Sequence, residues 1–177
     1  MKTFFTLIAT CLLLTKTMAQ TNYLSLLKDI NPGASSSSAI GLIELNGIRY
    51  FGASSTNGLE LWRTDGTTAG TYEVKDIYPG TESGYSSYYP VKLNNKIYFT
   101  GTTAANGSEL WSSDGTAAGT QMVADINPGT TGSNIFQMTV YNNKVYFVTD
   151  HPTYGSELWG TDGTAAGTQI VKDINPG

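Results

Sequence analysis

An all-β fold, a β-propeller-type array of about three four-stranded antiparallel blades, is what this sequence predicts, and three observations carry the prediction. A twelve-residue pattern returns in phase as ELWRTDGTTAGT from Glu60, ELWSSDGTAAGT from Glu109 and ELWGTDGTAAGT from Glu157. A second marker, DINPG or DIYPG, begins at Asp29, Asp76, Asp125 and Asp173; its period of about 48 residues, filled with short apolar runs, is that of a propeller blade. Charge is sparse at 14% while glycine contributes 20 residues, as expected of short strands joined by many tight turns.

The chain opens with Lys2 and an apolar run over residues 4–14, followed by the small-residue site Thr17-Met18-Ala19. This pattern predicts a secretory signal peptide over residues 1–19, an N-terminal signal helix cut before Gln20. The run is much shorter than the roughly 20 apolar residues of a membrane-spanning helix. No comparable stretch follows, so no membrane span is expected in the mature chain. The one cysteine, Cys11, lies inside the run; acylation there is the alternative, disfavoured because Thr10 is a poor match and the run continues through Leu14. Without Cys11 the mature chain has no thiol for disulfides, cysteine-based metal sites or cysteine nucleophiles. Net charge is −4 at pH 7 and grows more negative once Lys2 and Lys16 are removed. Phosphate backbones, and so nucleic acid, are not expected partners.

Residues 20–177 form the repeat domain, with units at 31–78, 79–126 and 127–175. Residues 23–30, YLSLLKDI, match the fourth strand of a unit and are expected to be an orphan outer strand. One strand plus three sets of four does not close a ring, so the array is expected to be incomplete or open, a piece of a longer repeat protein or an arc that assembles with others. In the second unit the four strands are placed at 90–93, 96–100, 108–112 and 121–126. Asn46-Gly47, Asn94-Asn95 and Asn142-Asn143 join the first two strands of each unit, and Asn and Gly accept the positive φ of a type I′ turn. The Asp-Gly-Thr loops join third to fourth strands, with the carboxylate accepting nearby N–H bonds. Along KIYFT, Ile97 and Phe99 point one way and Tyr98 the other; Leu110 and Trp111 likewise diverge. Both faces of each sheet are therefore apolar, and only a neighbouring blade can cover them.

With VKDI or VADI and then YPG or NPG after each copy, the blocks resemble the ELWxxDGT-repeat proteins, secreted bacterial chains also described as hyalin-like. KIYFTGTTAANGSELWSSDGT is also similar to blades of TolB-type and kelch-like propellers in its order of strand, polar loop, strand and Asp-Gly turn. The resemblance spans nearly all of residues 23–177. It implies export to the cell surface or medium, often in longer chains with a C-terminal sorting domain, and no established catalytic residues. This sequence departs in showing no sorting domain and in carrying Arg49 where the other units have Ile97 and Val145, which predicts a less protected face on the first blade.

Several residue sets invite chemistry. Asp65, Asp114 and Asp162 recur at one offset, but a hard cation wants six or more oxygens and each loop offers one carboxylate, so turn stabilisation is the expected role, as for Asp29, Asp76, Asp125 and Asp173. Glu60, Glu109 and Glu157 would serve a glycosidase only as a pair within roughly 5 to 10 Å. Being equivalent by repeat they should lie a blade apart, and a role as strand-edge partners for lysines such as Lys75 or Lys172 is expected. His151, the one histidine, has Asp150 beside it but no nucleophile, and reads as a loop residue. Tyr85, Tyr88 and Tyr89 cluster ahead of the second unit, where exposed rings can stack on sugars or enter a partner's pocket. Tyr50, Tyr98 and Tyr146 hold equivalent strand positions and read as packing.

Blade-to-blade linkers and loops between second and third strands should emerge on one rim, and these are the segments that vary between units. Binding is therefore expected there, through Asn57, Asn106, His151 and Tyr154. The reading is a secreted or cell-surface, non-catalytic binding or structural module, with no catalytic residue, metal or cofactor expected. Its partner would be extracellular polysaccharide or a surface protein, with self-association or further repeats beside it. A propeller hydrolase or lyase acting on glycans and a calcium-dependent adhesion module are the alternatives.

Overall fold

The computed structural model describes residues 25–176. The expected signal peptide, Cys11, and Tyr23 and Leu24 of the orphan strand lie outside the described residues. The first sheet is built from β1 (Ile40–Leu45), β2 (Ile48–Ser55), β3 (Gly58–Thr64) and β4 (Tyr72–Lys75), the second from β5 (Val91–Leu93), β6 (Lys96–Thr103), β7 (Gly107–Ser113) and β8 (Gln121–Ala124), and the third from β9 (Phe136–Tyr141), β10 (Lys144–His151), β11 (Gly155–Thr161) and β12 (Gln169–Lys172). Each is an antiparallel meander with its strands side by side in chain order, and among the described residues there is no helix. The fold is all-β, an open propeller-like array of three four-stranded blades. In the second blade the middle strands run further than the sequence suggests, to Thr103 and Ser113, because they pair in unbroken register from Ile97 opposite Ser113 to Thr103 opposite Gly107. The outer strand ends early, at Ala124, where the chain bends into the linker.

Backbone geometry explains the repeated turn residues. Asn46 and Gly47 (φ 54° and 79°), Asn94 and Asn95 (49° and 60°), and Asn142 and Asn143 (46° and 58°) all occupy the left-handed region that a two-residue hairpin turn demands. In the third-to-fourth strand loops, Asp114 Oδ1 accepts the Thr116 N–H at 2.9 Å and its hydroxyl at 2.7 Å. The same pair of bonds holds Asp65 to Thr67 and Asp162 to Thr164. These bonds keep the three carboxyls below the usual aspartate range. A Cβ on Gly70, Gly119 or Gly167 would run into that carboxylate, which accounts for the second glycine of every copy.

Packing follows the strand alternation. Tyr85, Ile97, Phe99 and Trp111 of the second blade meet Leu45, Tyr50, Leu61, Val74 and Ile77 of the first. From its other face Leu93, Tyr98, Leu110, Val123 and Ile126 meet Ile135, Val145, Phe147 and Trp159 of the third. Arg49 is exposed, whereas Ile97 and Val145 at the same blade position are fully buried.

Two expectations are corrected. Residues 25–30 form no strand, because no third strand lies beside them to pair with. Instead Ile30 packs on Phe51, Ala53 and Trp62, and Lys28 Nζ donates to the Thr71 carbonyl at 2.6 Å. The glutamates are not strand-edge partners for lysine. Glu60 is fully buried and accepts the N–H groups of Ile77 (2.7 Å), Gly84 (2.8 Å) and Tyr78 (3.4 Å). Glu109 accepts from Ile126, Asn127 and the Ser133 hydroxyl, and Glu157 from Asn175. Each glutamate thus ties down the chain leaving its own blade. Lys75 instead donates to the Thr120 carbonyl at 2.8 Å and lies over the Trp111 ring.

Leu110 and Leu158 occupy one repeat position, yet the first is fully buried and the second 37% exposed. Leu110→Ala is expected to cost about 2–5 kcal/mol and Leu158→Ala less than about 1 kcal/mol, measured by denaturant unfolding. Burial pushes the Glu60 carboxyl up to about 7, against the pull of its backbone N–H bonds. The folded state therefore holds that proton more tightly than the unfolded chain. The stability this group contributes is complete below pH 4.5 and is lost as pH rises through about 7. Glu60→Gln should flatten that decline in unfolding curves taken across the interval.

Candidate functional site

The linkers and the turns between second and third strands do share one rim. Gly84 and Tyr85 N–H both donate to the Leu59 carbonyl, at 3.0 and 2.9 Å, and Ser133 N–H donates to Ser108 O at 2.8 Å. Further along, Ser86 N–H donates to Thr100 O and Asp150 N–H to Ser133 O, so each linker is zipped to the blade that follows it. The rim is a rigid platform despite its variable sequence.

The four residues singled out from the sequence are distributed over the three blades. Asn57 Nδ2 donates to both Glu73 carboxylate oxygens at 3.2 and 3.3 Å, and Asn106 Nδ2 donates to Asp125 Oδ2 at 2.8 Å. Both side chains fasten their turn to a carboxylate of their own blade. His151 and Tyr154 are brought together, rings stacked at 4.8 Å, with His151 also 5.6 Å from Trp159. Thr153 N–H donates to His151 Nδ1 at 3.1 Å, which occupies that nitrogen within the turn.

Concavity lies elsewhere on the rim. A cleft of about 220 Å³ opens between the linkers entering the second and third blades, with Ser86, Ser87, Tyr88 and Tyr89 on one wall, Ile135, Phe136, Gln137 and Met138 on the other, and Thr100 between. Through Ser86, Thr100 and Ile135 it adjoins a hollow of about 440 Å³ that reaches Ser108, Thr131 and Asn134. Tyr88 and Tyr89 are 69% and 81% exposed and Phe136 41%, so three rings stand in water around one depression. Tyr85, by contrast, is buried and stacked on Phe99 at 5.1 Å, which makes it the anchor that carries its two neighbours. The lining offers hydroxyls, amides and rings. Among the described residues no group of three or more His, Cys, Asp or Glu is arranged to hold a metal ion.

The tyrosine cluster was legible in the sequence. Phe136 and Gln137 are marked in the sequence only by Ile135 beside Phe136, adjacent apolar residues that a strand cannot bury on one face. Asn134 and Gln137, both at the cleft, have φ of 47° and 55°, a conformation that costs a non-glycine residue of this kind energy.

No protein-family model matches the chain, and no curated protein matches it. Among solved structures it is similar to the puromycin hydrolase S511A mutant complexed with PGG, with a TM-score of 0.52 and 16% identity over 78% of this chain and 22% of that one. It is also similar to the alpha-L-arabinofuranosidase CtGH43 from Clostridium thermocellum, with a TM-score of 0.39 and 20% identity over 77% of this chain and 51% of that one. The likeness is one of fold. The chain spans 22% of the length of the first of these structures.

Gln137→Gly is expected to raise stability by about 1 kcal/mol by relieving the left-handed backbone, read as a higher Tm.

Proposed function

We propose that this chain is a secreted, non-catalytic binding module of the ELWxxDGT-repeat kind that holds extracellular polysaccharide in the cleft between the second and third blades. The observation that carries the reading is the trio of exposed rings, Tyr88, Tyr89 and Phe136, set around hydroxyl and amide groups. Aromatic faces stack on the apolar faces of sugar rings, while serine, threonine and glutamine exchange hydrogen bonds with their hydroxyls. Export is supported by the pattern of residues 1–19, and the bacterial repeat family by the thrice-repeated motif.

The carboxylates that a glycan hydrolase would use as a pair are otherwise engaged, since Glu60, Glu109 and Glu157 accept backbone N–H groups of the linkers. In each of the loop aspartates that calcium would need, Oδ1 is held by the N–H and hydroxyl of its own threonine, and each loop offers one carboxylate where a hard cation wants six or more oxygens. Excess chelator should accordingly leave the melting temperature unchanged, and a fall would favour calcium-dependent adhesion.

Titration calorimetry against a panel of neutral and acidic polysaccharides tests the main reading. The Tyr88→Ala, Tyr89→Ala double variant should lose about five- to 150-fold in affinity for whichever glycan binds, since stacking contributes roughly 0.5–1.5 kcal/mol per ring, with Tm unchanged. Asn57→Ala should bind like the parent. Undiminished binding by the double variant would remove the cleft from consideration.

A further inference from the structure

The two internal joints of the array define what a blade presents to its successor and what it receives. On the trailing face, Leu45, Leu61 and Ile77 in the first blade and Leu93, Leu110 and Ile126 in the second are all buried. The third blade repeats this face, but Tyr141, Leu158, Val171 and Ile174 are exposed at 65%, 37%, 52% and 70%. A tyrosine completes each joint: a Cβ on Gly115 would meet the hydroxyl of Tyr50, and one on Gly163 that of Tyr98. Tyr146 is the third such tyrosine, and Gly66, the third such glycine, has nothing within 4 Å of that position. Among the described residues, the tyrosine plug of the third blade and the Gly66 socket of the first are thus each left without their counterpart.

A lysine bracket repeats the pattern. Lys75 of the first blade donates to Thr120 O of the second and lies 5.8 Å from the Trp111 ring centre. Lys28 makes the same two contacts with Thr71 O and Trp62, the latter also at 5.8 Å. Residues 28–33 read KDINPG, and residues 172–177 read KDINPG again. The first copy is seated on the leading face of the first blade, where the end of a preceding blade's outer strand would sit. The second copy leaves the trailing face of the third.

The geometry points to head-to-tail docking of a second copy of this chain: the trailing face of the third blade of one molecule packs on the leading face of the first blade of another. Tyr146 meets Gly66, and Lys172 and Ile174 take the places of Lys28 and Ile30. Residues 28–33 are then an internal competitor that caps the leading face until it is displaced. That face carries Arg49 and Glu73 where the second and third blades have Ile97 and Met122 or Val145 and Ile170. The new joint is more polar than the internal ones, as suits one that forms and dissociates. The contact is heterologous, so each molecule uses a different surface on its two sides.

Sedimentation velocity of the secreted chain over a dilution series tests this. Mass should rise from one chain to two, and Lys28→Ala with Ile30→Ser should lower the dissociation constant at least about tenfold, because the tethered competitor is weakened. Val171→Glu on the plug, or Leu42→Glu beside the socket, should each leave single chains with an unchanged Tm. Mixing those two variants should restore pairing, since one intact plug then meets one intact socket. A single mass for both the parent and the Lys28 variant, pairing indifferent to Val171→Glu, or a mixture that stays single would each overturn the proposal.

Discussion

The second blade is apolar on both faces and buries each against a neighbour, and that constraint organises the rest of the structure. Along β6 the side chains alternate between two joints, Ile97 and Phe99 toward the first blade and Tyr98 toward the third. Along β7, Trp111 and Leu110 divide in the same way. A four-stranded meander of this composition has no wet side to turn outward. Its stability is shared with its neighbours, as in repeat proteins whose energies sum over units and the joints between them. The buried glutamate of each ELW supports the same joint from the edge, holding the departing linker at an angle that delivers the next blade face to face. Such a carboxylate is tolerable in the interior where donors converge on it, as three do on Glu60 and three on Glu109.

That division of labour explains why some letters are repeated and others vary. Asp, Thr and the two glycines of the DGT loop bend the chain and hold one another in place, so any change has a local cost in every blade. The linkers have no such duty once Gly84, Ser86 and Ser133 have made their backbone bonds to the two flanking blades. Tyr88, Tyr89 and Phe136 are thereby displayed on a stiff frame, the arrangement in which recognition is cheapest to alter and least costly to the fold. Leu158 holds the repeat position of the fully buried Leu110, so its exposure belongs to a repeated apolar face and differs from that of an isolated surface leucine.

Much of the architecture was legible in the residues alone. The period, the strand count per blade, the positive φ of the Asn-Gly and Asn-Asn turns, the opposite facing of Ile97 and Tyr98, and the unprotected position of Arg49 all follow from local chemistry and alternation, which depend on near neighbours in the chain. The candidate site was legible only in part. Tyr88 and Tyr89 stood out as a cluster, but Asn57 and Asn106 belong to turn fastenings, and the far wall of the cleft, Phe136 and Gln137, gave no signal strong enough to name.

Sequence by itself therefore determined the blade, its turns and its two-sided hunger for neighbours, because those are set by side-chain period and backbone sterics within some fifty residues. Tertiary structure alone decided what the glutamates bind, how residues 25–30 are held without a strand to join, and where two linkers come close enough to enclose a cleft. Those outcomes depend on groups from different blades meeting in space, and no spacing along the chain encodes the distance between them.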